Sequence, residues 1–190
     1  LAAGVSRSKR APTAEELFAG GIHLASNTWE RGNADLSAEQ SSNLDISLRK
    51  TTGATRYTLS AFYNRINDYI YASTTDRYEN FRLIDYKQRD ATFKGLEASA
   101  SHQLNTQWRV GVFGNMVHAS LKGGSAVPRI PARRLGVNAR WEYGPWYAGG
   151  EFYRNAAQNR IAAYETRTAG YNMLNLHMGW SGQLGQAQSY

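Results

Sequence analysis

The sequence predicts an all-β chain whose antiparallel strands form part of a transmembrane β-barrel. Three observations carry that prediction. Apolar residues recur with a period of two, the strand-forming runs are long, and the connections alternate between tight and extended. A strand turns successive side chains to opposite faces, so a period of two marks a strand with one apolar and one polar side. A membrane strand needs roughly 9–11 tilted residues, whereas soluble strands average about five or six.

In chain order the strands are expected at 1–6, 37–50, 55–71, 81–104, 106–121, 134–143, 146–155 and 170–181, about eight in all. In the second, Leu44, Ile46 and Leu48 alternate with Asn43, Asp45, Ser47 and Arg49. In the fourth, Leu96, Ala98 and Ala100 alternate with Glu97, Ser99, Ser101 and Gln103. The fifth sets Trp108, Val110, Val112, Gly114 and Met116 against Arg109, Gly111, Phe113 and Asn115. The sixth sets Leu135, Val137, Ala139, Trp141 and Tyr143 against Arg134, Asn138, Arg140 and Glu142. In the last, Leu174, Leu176, Met178 and Trp180 alternate with Asn175, His177 and Gly179. The helical period of 3.6 appears nowhere at length.

The turns place these strands. Tight ones are expected at Thr52-Gly53, Asn105-Thr106 and Gly144-Pro145, where turn-forming residues cluster. Long ones cover 7–36, 73–80, 122–133 and 156–169. Short turns on one side, long loops on the other and aromatic girdles are features of outer-membrane barrels. Trp108 follows one tight turn, and Trp141, Tyr143, Trp146 and Tyr147 flank another. A soluble β-sandwich is the competing architecture, and strands of this length with one-sided loops argue against it.

Composition removes other classes. The 190 residues carry 22 Lys and Arg against 15 Asp and Glu, yet only 19% are charged and 12% are aromatic. The cations alternate with apolar residues along strands instead of clustering, which argues against a nucleic-acid partner. Cysteine is absent, so thiolate metal sites and Cys nucleophiles are excluded. No run approaches 18 consecutive apolar residues, which excludes a transmembrane helix. No histidine stands beside a Ser and an acid in a catalytic arrangement, so no enzyme activity is expected.

Five segments then carry a family resemblance. Arg10-Ala11-Pro12 with Glu16-Leu17, followed by Gly21-x-His23 and Glu30-x-Gly32-Asn33, resembles a stretch found in the barrels of TonB-dependent receptors. Phe62-Tyr63-Asn64-Arg65-Ile66-Asn67-Asp68-Tyr69-Ile70 resembles an outgoing strand of that family, and Lys94-Gly95-Leu96-Glu97 a returning one. Pro128-Arg129-Ile130-Pro131 is similar to the start of a later strand. The order and spread of these pieces cover most of the chain.

The resemblance implies a bacterial outer-membrane location and a share of a probable 22-stranded barrel. It also implies that 1–190 is a partial barrel, since no segment resembles the plug domain or the TonB-contacting box, and the polar stretch at 183–190 stands where final strands would follow. The expected partners are outer-membrane lipid or lipopolysaccharide, the TonB complex through the missing plug, and a metal or metal-chelate ligand. No resident cofactor is expected. The Gly-Ile-His-Leu stretch resembles the zinc and haem branch, with siderophore uptake as the alternative, and a small self-contained structural or adhesive barrel as another.

His23 is the expected metal ligand, with Glu30 as an oxygen donor. Imidazole and carboxylate suit zinc, though a zinc site needs three or four donors. An ordinary exposed loop histidine is the competing reading of His23. His177 shares the parity of Asn175 and Gly179, so it is expected to face the lumen and touch a passing ligand. His102 and His118 share the parity of the apolar stripes and are expected at girdle or loop-base positions.

Overall fold

The computed structural model describes residues 1–78 and 80–182, so the polar stretch at 183–190 lies outside the described residues. Eight long strands form one continuous antiparallel path: β1 (Ala2–Arg10), β4 (Glu39–Lys50), β5 (Thr55–Tyr78), β6 (Phe81–Gln103), β7 (Trp108–Leu121), β8 (Arg134–Tyr143), β9 (Trp146–Asn155) and β10 (Tyr171–Trp180). The expected strand count and order hold along this path. The expected loop at 7–36 is shorter and more ordered than the sequence indicated. It holds a one-turn helix α1 (Ala14–Phe18) and a hairpin of β2 (Gly20–His23) and β3 (Thr28–Arg31). β3 then pairs in parallel with the outer part of β6.

The register shows why the alternation was legible. Val5, Leu44 and Tyr63 lie side by side across β1, β4 and β5. Ala100, Val112, Val137, Phe152 and Leu174 do so across β6 to β10. Across these rows the strands deliver apolar side chains to one face, which stays open to the surroundings: Leu135 and Leu176 are 70% and 75% exposed. In water such a face would be a severe liability; in lipid it is the required surface. From Leu135 to Tyr143 the apolar stripe of β8 runs about 26 Å at about 3.3 Å per residue, enough for a tilted crossing. Trp108 pairs with Trp141, and Tyr143, Trp146 and Trp180 fall in one row at the tight-turn end. They form the aromatic girdle expected there.

The opposite face is polar. Ser101, Gly111, Asn138, Glu151 and Asn175 form one of its rows. Where this face carries aromatics they cover glycines: Phe113 and Tyr153 meet edge-on at 6.5 Å over Gly136, and the Arg134 guanidinium lies 5.4 and 5.3 Å from their ring centres.

One expected loop is a correction. The sequence predicts a long connection over 73–80. In fact β5 continues to Tyr78 and β6 starts at Phe81. At 24 and 23 residues these strands run well past a bilayer crossing. Outside the membrane both faces meet water, so the alternation stops while the backbone ladder continues to satisfy its hydrogen bonds. At the base of this extension the loop at 122–133 folds back on the polar face. Val127 and Ile130 pack there with Ala91, Ala119, Leu121, Tyr69, Tyr71 and Phe93.

Candidate functional site

The ordered loop between β1 and β4 starts from Arg10. Its guanidinium binds Glu16 through two bonds of 2.9 and 3.1 Å and Glu39 through two of 2.9 and 3.2 Å. One cation thereby ties α1 to the first residue of β4. Burial works to raise the Glu16 carboxyl, but the hydrogen bonds and charge of Arg10 outweigh it and hold Glu16 below the ordinary value. Thr13 caps α1: its hydroxyl accepts from the Glu16 amide, and its own amide donates to the Glu16 side chain. This capping box fixes where the helix begins and so where Glu15 points.

The hairpin brings the expected pair together. His23 opposes Thr28 and Gly21 opposes Glu30, which leaves His23 and Glu30 on one side as diagonal neighbours. Gly21 presents no side chain between them. The His23 Nδ1 lies 3.0 Å from Glu30 Oε1. Thr28 donates to the same oxygen at 2.8 Å, and the Tyr86 hydroxyl, from the projecting part of β6, lies 3.2 Å from Oε2. Glu30 is 9% exposed. Burial works to raise its carboxyl, but the bonds from Thr28, His23 and Tyr86 prevail and hold it below the ordinary value.

Two further residues complete the cluster, and the sequence did not single them out. Tyr86 also reaches Glu15 at 3.1 Å. Glu15, His23 and Glu30 each present a donor atom, and these atoms lie within 4.8 Å of one another. Burial pushes the Tyr86 phenol up, and the charge of Glu30 and the hydrogen bond to Glu15 push it further. Nothing local in the sequence marks Glu15: only the docking of α1 turns it toward the hairpin. Tyr86 lies more than fifty residues away in sequence, and no local pattern links it to Glu30.

Gly32 holds the two parts together. A Cβ there would stand 2.6 Å from the backbone C and O of Leu17 and the amide N of Phe18. The chain after β3 thus runs directly against the end of α1, where the Gly32 amide donates to the Ala19 carbonyl at 2.7 Å.

His177 is elsewhere. It sits on β10 opposite Gly149, on the polar face as expected, three positions from the girdle residue Trp180. His23 lies at the long-loop end, so the structure does not bring the two together. His102 and His118 fall on the apolar face, opposite Val110 and Lys94 respectively. Another cavity of about 220 Å³ opens between the outer ends of β5, β6 and β7 and the long loops. Arg82, Arg89 and Arg129 line it, with Tyr71, Tyr164 and Glu165. Arg129 and Tyr164 both adopt left-handed backbone, at φ of 61° and 64°, a conformation that costs energy for such residues.

Comparison with known proteins places this architecture. The fold superposes on the copper transporter OprC with a TM-score of 0.84 at 22% identity, over 96% of this chain and 29% of that one. It superposes on the siderophore receptor PirA from Pseudomonas aeruginosa with a TM-score of 0.66 at 14% identity, over 96% of this chain and 33% of PirA. For the ferric yersiniabactin uptake receptor FyuA from Yersinia pestis the values are 0.64 and 16%, over 94% and 27%. The chain spans about a third of the length of these structures. Residues 1–187 match the family described as TonB dependent receptor-like, beta-barrel. With its one-sided loops, aromatic girdle and lipid-compatible face, this is a bacterial outer-membrane barrel segment, and the chain belongs to the TonB-dependent receptor β-barrel family.

Proposed function

We propose that the protein carrying this chain is an uptake receptor for a metal ion, with zinc as its cargo and the Glu15–His23–Glu30 cluster as a docking point on its outer side. The observation that supports this reading is the convergence of one imidazole and two carboxylates within 4.8 Å. Nitrogen and oxygen donors of this kind suit zinc, and three protein donors are enough for an open site. Metal ligands must be free of protons, so zinc would take the place of the proton that His23 Nδ1 shares with Glu30. The chemistry is capture and release, with no bond made or broken; members of this family are transporters, not enzymes. Coupling to the TonB complex would run through a plug domain outside this chain, and 1–190 would be one part of a larger barrel.

A second reading rests on the arginine-lined cavity. Three guanidinium groups beside two tyrosines suit an anionic metal chelate, in which case the cargo is a siderophore. Haem, an anionic chelate in its own right, is the control between the two.

Titration of the detergent-purified full-length receptor with zinc, beside His23→Ala and with haem as competitor, separates them. Zinc binding that the substitution weakens at least tenfold supports the zinc site. Binding that is absent, or indifferent to His23, overturns it and moves the chelate reading forward.

A further inference from the structure

Tyr86 reaches the Glu15–His23–Glu30 cluster from another part of the fold. β3 runs parallel to the outer part of β6, with Glu30 beside Ile84 and Arg31 beside Asp85. Side chains alternate along a strand, so Glu30, Ile84 and Tyr86 share one side of the sheet. Ile84 is buried there, and Ala72 of β5 pairs with Tyr86 from the other flank. Backbone ladders on both flanks of β6 therefore fix where the phenol stands. The extension of β6 past the bilayer carries it to the cluster.

The hydroxyl lies 3.1 Å from Glu15 Oε1 and 3.2 Å from Glu30 Oε2. Ionised carboxylates only accept hydrogen bonds, so the phenol is the donor and its single proton serves both. Glu30 meets His23 and Thr28 through its other oxygen, Oε1, at 3.0 and 2.8 Å. The oxygens of Glu30 are thus divided, one facing the phenol and the other the imidazole. A cation that replaces the proton between His23 and Glu30 meets Glu30 through Oε1 alone. It meets Glu15 with that residue's Oε1 already held against the same phenol.

This division separates zinc from calcium. Zinc takes about four donors at roughly 2.0–2.2 Å and mixes nitrogen with oxygen, so one oxygen per carboxylate suffices. Calcium takes about six to eight oxygens at roughly 2.3–2.6 Å, often both oxygens of one carboxylate. With the phenol between them, Glu15 and Glu30 offer half the oxygens that they would offer fully free.

We propose that Tyr86 sets the metal specificity of this site: its phenol holds Glu15 and Glu30 to one oxygen each, which admits zinc and refuses calcium. The proposal rests on the zinc reading of the cluster and names the residue that makes it selective.

The test titrates the detergent-purified full-length receptor with zinc, with and without calcium at about 1 mM, a concentration at which extracellular calcium modules bind. The parent should bind zinc equally in both. Tyr86→Phe should lose about tenfold in zinc affinity, as loss of a hydrogen bond to a ligating carboxylate does. Calcium should then lower its zinc affinity by about threefold more. Arg31→Ala removes the 2.8 Å ion pair to Asp85 that also joins β3 to β6, without touching Glu30. It should stay indifferent to calcium. A parent that binds no zinc defeats the reading of the cluster, and this proposal with it. A parent that binds zinc but yields it to calcium overturns the role of Tyr86 alone, as does Tyr86→Phe indifferent to calcium. Calcium sensitivity in Arg31→Ala equal to that of Tyr86→Phe would trace the effect to a loosened β3 and also overturn it. Heat-modifiable migration checks each sample. If Tyr86→Phe loses it, Tyr86→Leu takes its place, and indifference to calcium there overturns the proposal.

Discussion

Glu30 shows how one carboxylate can serve structure and recognition together. Its two oxygens collect His23, Thr28 and Tyr86, so they staple the hairpin to β6 while presenting charge beside His23. Because its folded-state pKa lies below its ordinary value of 4.5, it stabilises the loop fully above that value, and this is lost as pH falls through the lowered one. Protection of the β2 and β3 amides, taken relative to the intrinsic exchange rate at each pH, should therefore persist near pH 4.5 and fall only at more acid pH. Glu30→Gln keeps the size of the side chain but removes the charge that accepts these bonds. It should cost about 1–3 kcal/mol of local stability, speeding exchange in the hairpin at pH 7, and should weaken zinc binding more than it loosens the loop. Unchanged exchange at pH 7 would show that the carboxylate charge does not hold the hairpin.

At the scale of elements, the sequence and the structure part company where periodicity stops. Strands with one side in lipid were legible from Leu135, Val137 and Ala139 alone, because lipid enforces the alternation. The hairpin of β2 and β3 was not legible: four-residue strands offer too few positions for a period. His23 and Glu30 were found through a resemblance, and Glu15 was missed because its role depends on how α1 docks. Gly32 decides that docking. Gly32→Ala would drive a methyl group into the backbone of Leu17 and Phe18, which have no flexible end to move aside. The helix should shift away from β3 and carry Glu15 with it. We expect zinc affinity to fall about tenfold although no donor has changed, with the heat-modifiable barrel intact. Affinity equal to the parent would mean that Glu15 takes no part in binding.

At the scale of the whole molecule, the order of strands decides what this chain can do by itself. The path runs from β1 to β10 without joining its ends among the described residues. β1 and β10 thus each present an unpaired edge, beside an apolar face that water would not tolerate. Eight strands can close a small barrel when their shear allows it. Here β5 and β6 reach far beyond β8, β9 and β10, which are 10 residues each, so the two edges are of different character. The matched receptors are about three times longer, and in a larger barrel neighbouring strands would cover both edges. The expectation is specific: the 190-residue chain, refolded alone in detergent, should give no heat-modifiable band and should associate through its edges, whereas the full-length protein should give one. A sharp, heat-modifiable monomer from residues 1–190 would instead establish a self-contained barrel, and the receptor reading would then have to explain how eight strands leave room for a cargo.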